Sequence, residues 1–286
     1  MADAKLILVT GATGFIGAHI VDNLLDRGLS HKGRLEFVTV ADFEKAADFS
    51  EAVKGVGAII HTASNSSSPP STAPAPSSKP PPPPPPTPIR RIVLTSSFAS
   101  VIDLNRTAPP FFRFTGADWN PITYEEAVDP ATTSVIAYRG SKKFAERAAW
   151  DFIRDNKPSF DLVTLCPPCV ITAPELPLAR VPFWVDVRDL AQAHVEALLR
   201  PEVGGRRYVP ASPEHFSYGA VAEFLVEEFP ELKDKIKLVT QAVDDSRGID
   251  GEPVTTELGV QYRPLKESAR DLVAQMLALE AKNAAN

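Results

Sequence analysis

With 286 residues and 44% of them apolar, the chain is large enough for one big α/β core, or for a core with a smaller lobe. A formal net charge of −6 without any basic run argues against nucleic acid or an anionic membrane as a partner. Two cysteines, no amino-terminal signal pattern and no apolar run of bilayer length point to a cytoplasmic, reducing setting.

The first apolar run, Lys5-Leu6-Ile7-Leu8-Val9-Thr10, fits a buried parallel strand. Gly11-Ala12-Thr13-Gly14-Phe15-Ile16-Gly17 follows, and Ala18 to Arg27 then carries apolar residues at helical spacing. Leu35 to Val40 reads as a second strand and Ala58 to Ala63 as a third. From Asn65 to Pro88 every residue except Asn65 and Lys79 is Pro, Ser, Thr or Ala, including seven consecutive prolines from Pro80 to Pro86. Such a segment has nothing large and apolar to bury, so it is expected to be disordered or polyproline-like. A partner that binds proline-rich segments is the functional alternative for it, and a plain linker the simpler one.

Ile92 to Thr95 is the next strand and ends in Ser96 and Ser97. Ser134 to Asn156 reads as a long helix and Phe160 to Cys166 as a strand. Helices follow over Val187 to Leu199, Tyr218 to Phe229 and Leu265 to Ala281. Strands alternating with helices predict a doubly wound parallel sheet. The expected division is a dinucleotide-binding domain over 1–165, with 65–88 as its disordered segment. Residues 166–286 then form mainly a small substrate lobe with some returning core elements.

Gly11, Gly14 and Gly17 lie between a strand and a helix, the context that gives a glycine triplet its meaning. The first allows a tight turn, the second lets backbone approach a pyrophosphate, and the third permits close helix–strand packing. The helix N-terminus then offers free N–H groups to the anion. Asp42 follows the Leu35 strand. It is the ribose-binding acid if that strand is the second of the sheet, an adenine-edge contact if it is the third, and otherwise a solvated residue.

Tyr138 and Lys142 are four apart, hence on one helix face. A phenol is a weak acid near neutrality, and a cation one turn away favours its anion. Lys143 lies further round the helix. Ser97 at a strand end is suited to hydrogen-bonding a substrate carbonyl oxygen. Cys166-Pro167-Pro168-Cys169 has a metal or redox spacing, but its two prolines suit a structural turn better, and two thiols make no zinc site. No metal is expected. His61 and His194 read as packed residues, and Asp186 and Asp189 as the start of a helix.

The chain resembles the extended short-chain dehydrogenases/reductases, in particular dihydroflavonol-reductase-like and fungal aldehyde- or carbonyl-reductase-like members. The resemblance lies in VTGATGFIGAHIVDNLLDRG, GRLEFVTVADF, AIIHTAS, RIVLTSSFASVI, DWNPIT and AYRGSKKFAERAAWDF. It continues in FDLVTLCPP, FWVDVRDLAQAHVEAL and LGVQYRPLKESARDLV. It implies a Rossmann-type fold and NAD(P)H-dependent interconversion of a carbonyl and an alcohol on a small substrate, with NADP as cofactor and NAD as the alternative. Ser97, Tyr138 and Lys142 would be the catalytic trio. Gly11, Thr13, Gly14, Phe15, Ile16, Gly17, Asp42, Thr62, Ala63, Ser64, Pro167 and Val170, together with Tyr138 and Lys142, would line the cofactor.

Against that pattern three pieces are missing: a strand and helix between Gly28 and Arg34, the crossover helix before Ile92, and a substrate-lining insertion near Glu175 to Arg180. The first loss removes the strand end that selects NADP over NAD. The second leaves one sheet face uncovered and puts homodimerisation in doubt. A transcript with displaced exon boundaries would produce such losses, so a non-catalytic dinucleotide-binding or degenerate family member is the alternative.

Overall fold

The computed structural model describes residues 6–29, 35–40, 49, 51–62, 88–103, 106, 111–170, 183–240 and 246–284. The elements are β1 (Ile7–Thr10), α1 (Phe15–Asp26), β2 (Ala58–His61), β3 (Arg91–Thr95), β4 (Phe112–Phe114), α2 (Tyr124–Val128) and α3 (Ser134–Asn156). They continue as β5 (Asp161–Leu165), β6 (Cys169–Val170), β7 (Trp184–Val185), α4 (Val187–Leu199), β8 (Arg207–Tyr208) and α5 (Tyr218–Glu228). The last three are β9 (Arg247–Ile249), α6 (Glu252–Leu258) and α7 (Leu265–Ala284).

Among the described residues the main sheet is five-stranded, all parallel, in the order β1-β2-β3-β5-β8. It is the α/β parallel sheet that the alternation of strands and helices predicts. Alternation along each strand assigns its two faces. Ala58, Ile60 and Val93 point into a core built with Ile20 and Leu24 of α1 and Ala191, Val195 and Leu198 of α4. Ile59, Ile92 and Leu94 point the other way and are only half-buried. α3 packs on that second face beside β5, yet only Gly140 and Glu146 of its 23 residues are buried. The face that a crossover helix before β3 would cover is thus the thinly covered one. The proline tract itself lies outside the described residues.

One expectation is overturned. Leu35–Val40 forms no strand, and Phe37 is 75% exposed. Among the described residues its apolar side chains find no helix to bury them on the outer side, so joining the ladder would leave half of each pair wet. β1 is therefore the edge of the described sheet. The segment instead borders a cavity of about 620 Å³ that runs along β1 from Gly11–Thr13 past Leu24 and Leu25 of α1.

Two buried polar clusters fasten the layers. The Arg91 guanidinium, fully buried, donates to both oxygens of Asp161 at 2.6 and 2.8 Å and to the carbonyls of Ala197, Arg200 and Pro201. All five of its N–H groups are matched, which ties β3 and β5 to the end of α4. Asp186 caps α4 by accepting from Arg188 N at 2.7 Å, and it also takes the Ser268 hydroxyl of α7. Asp189 adds an ion pair with Arg263. The two acids do start the helix, and they also bind it to the carboxyl-terminal segment.

Candidate active site

The glycine turn between β1 and α1 has the geometry that an anion cradle needs. Gly11 has φ +70°, a left-handed conformation that favours glycine, and Gly14 N donates to Gly11 O at 2.9 Å. A Cβ on Gly17 would lie 2.1 Å from Gly11 O, so this close approach of helix to turn requires its absence. The start of α1 has no side-chain cap and no acid in its first turn. Its N–H groups are left to a ligand or to water, as a diphosphate site requires. Thr13, Gly14 and Phe15 are exposed, Ile16 half-buried and Gly17 buried, so the cradle faces outward. The residues present fit a dinucleotide.

β1 and β2 are cross-tied at their carboxyl ends. Thr62 Oγ1 donates to Thr10 O at 2.7 Å, and Thr10 Oγ1 bonds His61 Nδ1 at 2.8 Å. Burial holds the His61 ring below its ordinary pKa. Asp42, Ala63 and Ser64 lie outside the described residues.

Ser97 follows β3 and caps the single turn Phe98–Ser100, with its Oγ accepting from Ala99 N at 3.1 Å. Its hydroxyl hydrogen has no acceptor among the described residues. Phe98 fixes the turn from below: its N–H donates to Pro167 O at 2.8 Å, and its ring meets Phe114 and Phe183 edge-to-face, each at 5.6 Å. Those rings belong to a second apolar cluster with Ile102, Cys166 and Ile249 beneath the site. Val170, half-buried in β6, pairs with Val185. Gly11–Gly17, Thr62, Ser97, Pro167 and Val170 thus follow the carboxyl ends of parallel strands, where open α/β sheets hold ligands.

α3 carries Tyr138 and Lys142 and packs on Phe98–Ser100. The Lys142 ammonium lies 5.5 Å from the centre of the Tyr138 ring, and burial lowers its pKa. Tyr138 is 44% exposed and so open to a substrate. Lys143 turns away and donates to Ile122 O at 2.7 Å. Gly140 packs on Ala127, where a Cβ would come within 2.3 Å, so α2 can lie close against α3.

Sequence reasoning missed what joins Ser97 to Tyr138. Asn120, 1% exposed, donates from Nδ2 to Ala99 O at 2.7 Å and to Arg139 O at 3.0 Å. One amide therefore bridges Ala99, two residues after Ser97, and Arg139, the residue after Tyr138. Its Oδ1 accepts from Ile122 N at 3.1 Å. Behind the turn, Glu146 accepts from Ser96 Oγ and Ser100 Oγ at 2.7 Å each, from Thr164 Oγ1 at 2.9 Å and from Arg207 Nε at 2.7 Å. Burial alone would raise its pKa, but hydrogen bonds and charge from Arg207, with both serine hydroxyls, outweigh that and hold the carboxyl below its ordinary range. Arg207 in turn stacks over Trp119 at 3.8 Å.

Cys166 and Cys169 are free thiols. Burial, with the nearby Glu146 charge, pushes Cys166 up to about 12, which makes it inert as a nucleophile. His194 is fully buried between Thr95 Oγ1 (2.7 Å) and Leu190 O (2.8 Å), and it packs α4 against β3.

An outward-facing glycine cradle at the carboxyl end of a parallel sheet suits a dinucleotide cofactor. Residues 7–78 match the NAD dependent epimerase/dehydratase family. The chain is 33% identical over 342 aligned positions to a ketoreductase of Aspergillus niger, covering 96% of this chain and 98% of the relative. It is 29% identical to the NADPH-dependent methylglyoxal reductase of Saccharomyces cerevisiae, covering 96% and 99%. Yeast methylglyoxal/isovaleraldehyde reductase complexed with NADPH superposes with TM-score 0.75 at 26% identity, over 96% of this chain and 99% of that one. The chain belongs to this epimerase/dehydratase family, the extended short-chain dehydrogenases/reductases, and with it to the NAD(P)-dependent oxidoreductases. The alignments exceed the chain's 286 residues, so the relatives carry segments that it lacks.

Proposed function

We propose that the protein reduces a small aldehyde or ketone to the alcohol with NADPH, using Tyr138 as proton donor. The observation that carries this is the Asn120 amide, which couples the residue after Phe98 to the residue after Tyr138. It holds the serine turn and the tyrosine helix as one unit. NADPH, when bound, supplies the hydride to the carbonyl carbon. The Tyr138 hydroxyl gives its proton to the carbonyl oxygen, and the Lys142 ammonium beside the ring stabilises the phenolate left behind. Ser97 Oγ accepts from Ala99 N, which leaves its hydrogen to bond the same carbonyl oxygen. The Gly11–Gly17 turn takes the diphosphate.

Relatives named for carbonyl reduction with NADPH support the reaction class. Titration with NADPH and NADH by fluorescence, followed by turnover of methylglyoxal, tests it. Tyr138→Phe should keep NADPH binding and lose about 10²- to 10⁴-fold in turnover; unchanged turnover overturns the mechanism. The edge position of β1 among the described residues favours a second reading, a dinucleotide binder without turnover. That reading expects NADPH binding with no oxidation of it by any aldehyde.

A further inference from the structure

Tyr138, Lys142, Glu146 and Trp150 recur every four residues on α3, one stripe along the helix. The first is exposed and the second half-buried. The third is buried among polar groups from three other places in the chain, the turn after β3, β5 and β8, and from Trp150 on its own helix. Glu146 Oε2 receives Ser96 Oγ, Ser100 Oγ and Arg207 Nη2 (3.2 Å), and Oε1 receives Thr164 Oγ1, Arg207 Nε and Trp150 Nε1 (3.3 Å). The Ser96 and Ser100 hydroxyls flank Ser97. Ser100 has one hydroxyl hydrogen, shared between Glu146 Oε2 and Ser97 O, each at 2.7 Å, while its oxygen accepts from Arg207 Nη2 at 3.0 Å. Arg207 Nη1 reaches on to the carbonyls of Gly116 and Asp118, at 2.9 and 2.5 Å, which lead into Asn120.

We propose that Glu146, held by Arg207, is a positioning residue for Ser97: it fixes the serine turn to the helix that carries Tyr138 and Lys142. The proposal rests on the reductase reading for its kinetic consequence, though not for its structural one. A helix packed on a turn can slide along its axis or rotate. Two hydroxyls on either side of Ser97, gripping one carboxylate a single turn from Lys142, remove both freedoms. The paired guanidinium keeps that carboxylate charged and aligned, so the grip is made of charge-assisted bonds. Loss of it would shift Ser97 by a fraction of an ångström relative to Tyr138, and misplacement of that order costs turnover rather than cofactor binding.

A double-mutant cycle on the full chain tests this. Glu146→Gln should lower kcat for methylglyoxal by about 10- to 100-fold, with the NADPH Kd within about twofold. In a Ser97→Ala background the same substitution should cost less than about threefold more, because its target is already gone. Equal losses in both backgrounds would overturn the proposal, since a general loss of core order does not depend on Ser97. Should Glu146→Gln fail to fold, Ser96→Ala with Ser100→Ala releases the turn and leaves the ion pair intact; the same non-additivity is then required of it. Amide hydrogen exchange over 97–102 separates the proposal from the reductase reading. If the wild-type chain turns nothing over, that reading fails alone, and Glu146→Gln (or the serine pair) must still speed exchange in this turn by at least about tenfold. Unchanged exchange there would sink the positioning role whatever the kinetics.

Discussion

Asn120→Ala removes the bridge between the serine turn and the tyrosine helix. Its cost follows from what each partner keeps. Arg139 O lies within α3 and retains its helical hydrogen bond, so losing the amide costs it about 1 kcal/mol. Ala99 O lies in a one-turn segment beside buried Phe98 and Ser100, and without Asn120 it has no described partner. An orphaned carbonyl of this kind costs about 1–3 kcal/mol, and Ile122 N also loses its acceptor. The two carbonyls together account for about 2–4 kcal/mol of unfolding free energy, to which the Ile122 N–H adds, read from urea unfolding at constant slope. Turnover should fall together with stability, whereas NADPH affinity should not, because the Gly11–Gly17 cradle follows β1, two strands away from the β3 turn that Asn120 holds. Asn120→Asp is the sharper variant. It keeps the shape and the bond to Ile122 N, but it turns a carboxylate oxygen towards two carbonyls, so it should be at least as damaging as alanine. A loss below about 0.5 kcal/mol with unaltered kcat in both variants would refute the bridge.

Other outcomes follow from the same bookkeeping. Arg91→Met should cost about 3–5 kcal/mol, since it orphans three carbonyls near the end of α4; Asp161 is 39% exposed and can be rehydrated, so the lower half of that range is expected. Arg154→Met, at an exposed ion pair, is the control and should leave the urea midpoint unchanged. His194 is neutral in the fold, with its pKa lowered to about 4 by burial, while the unfolded chain protonates near 6.5. Its contribution is full above pH 6.5 and is lost as pH falls towards 4, by about 3 kcal/mol at most. His194→Gln should flatten the urea midpoint over that window, and an unchanged slope would refute the assignment. Gly17→Ala should weaken NADPH binding by more than about tenfold, because its Cβ meets the Gly11 backbone at 2.1 Å; equal affinity in a fluorescence titration would count against the cradle.

Legibility in the sequence depended on whether a signal was local. The glycine turn, the Tyr138–Lys142 stripe and the strand ending in Ser97 are each set by a few adjacent residues, and each appears where its pattern puts it. Leu35–Val40 reads as a strand by pattern, but a strand also needs a neighbour and a cover, and no pattern within six residues reports either. Asn120 and Glu146 were hidden for a related reason. A lone Asn after a Trp and an acid on a charged helix look like surface residues until the partners from β3, β5 and β8 are known. The four-residue recurrence from Tyr138 to Trp150 was the available hint, because it placed Glu146 on the site-facing stripe.

The two faces of the sheet explain how the site can persist beside missing scaffold. α1 and α4 cover one face with a continuous core that holds β1, β2 and β3 in register. Among the described residues the thin face leaves Ile59, Ile92 and Leu94 only half-buried, and there the burden of positioning falls on polar bonds. Ser97 and Tyr138 belong to that side, and Asn120 and the Glu146–Arg207 pair supply directional links where a packed helix would have supplied area. Hydrogen bonds fix direction and separation more sharply than apolar contact does, and a buried unmatched partner costs more than a lost methylene. The catalytic geometry should therefore be less sensitive to truncating Ile92 or Leu94 than to removing Asn120. Overall stability should show the reverse weakness, with β1 at the sheet edge exchanging its amides before β3 does.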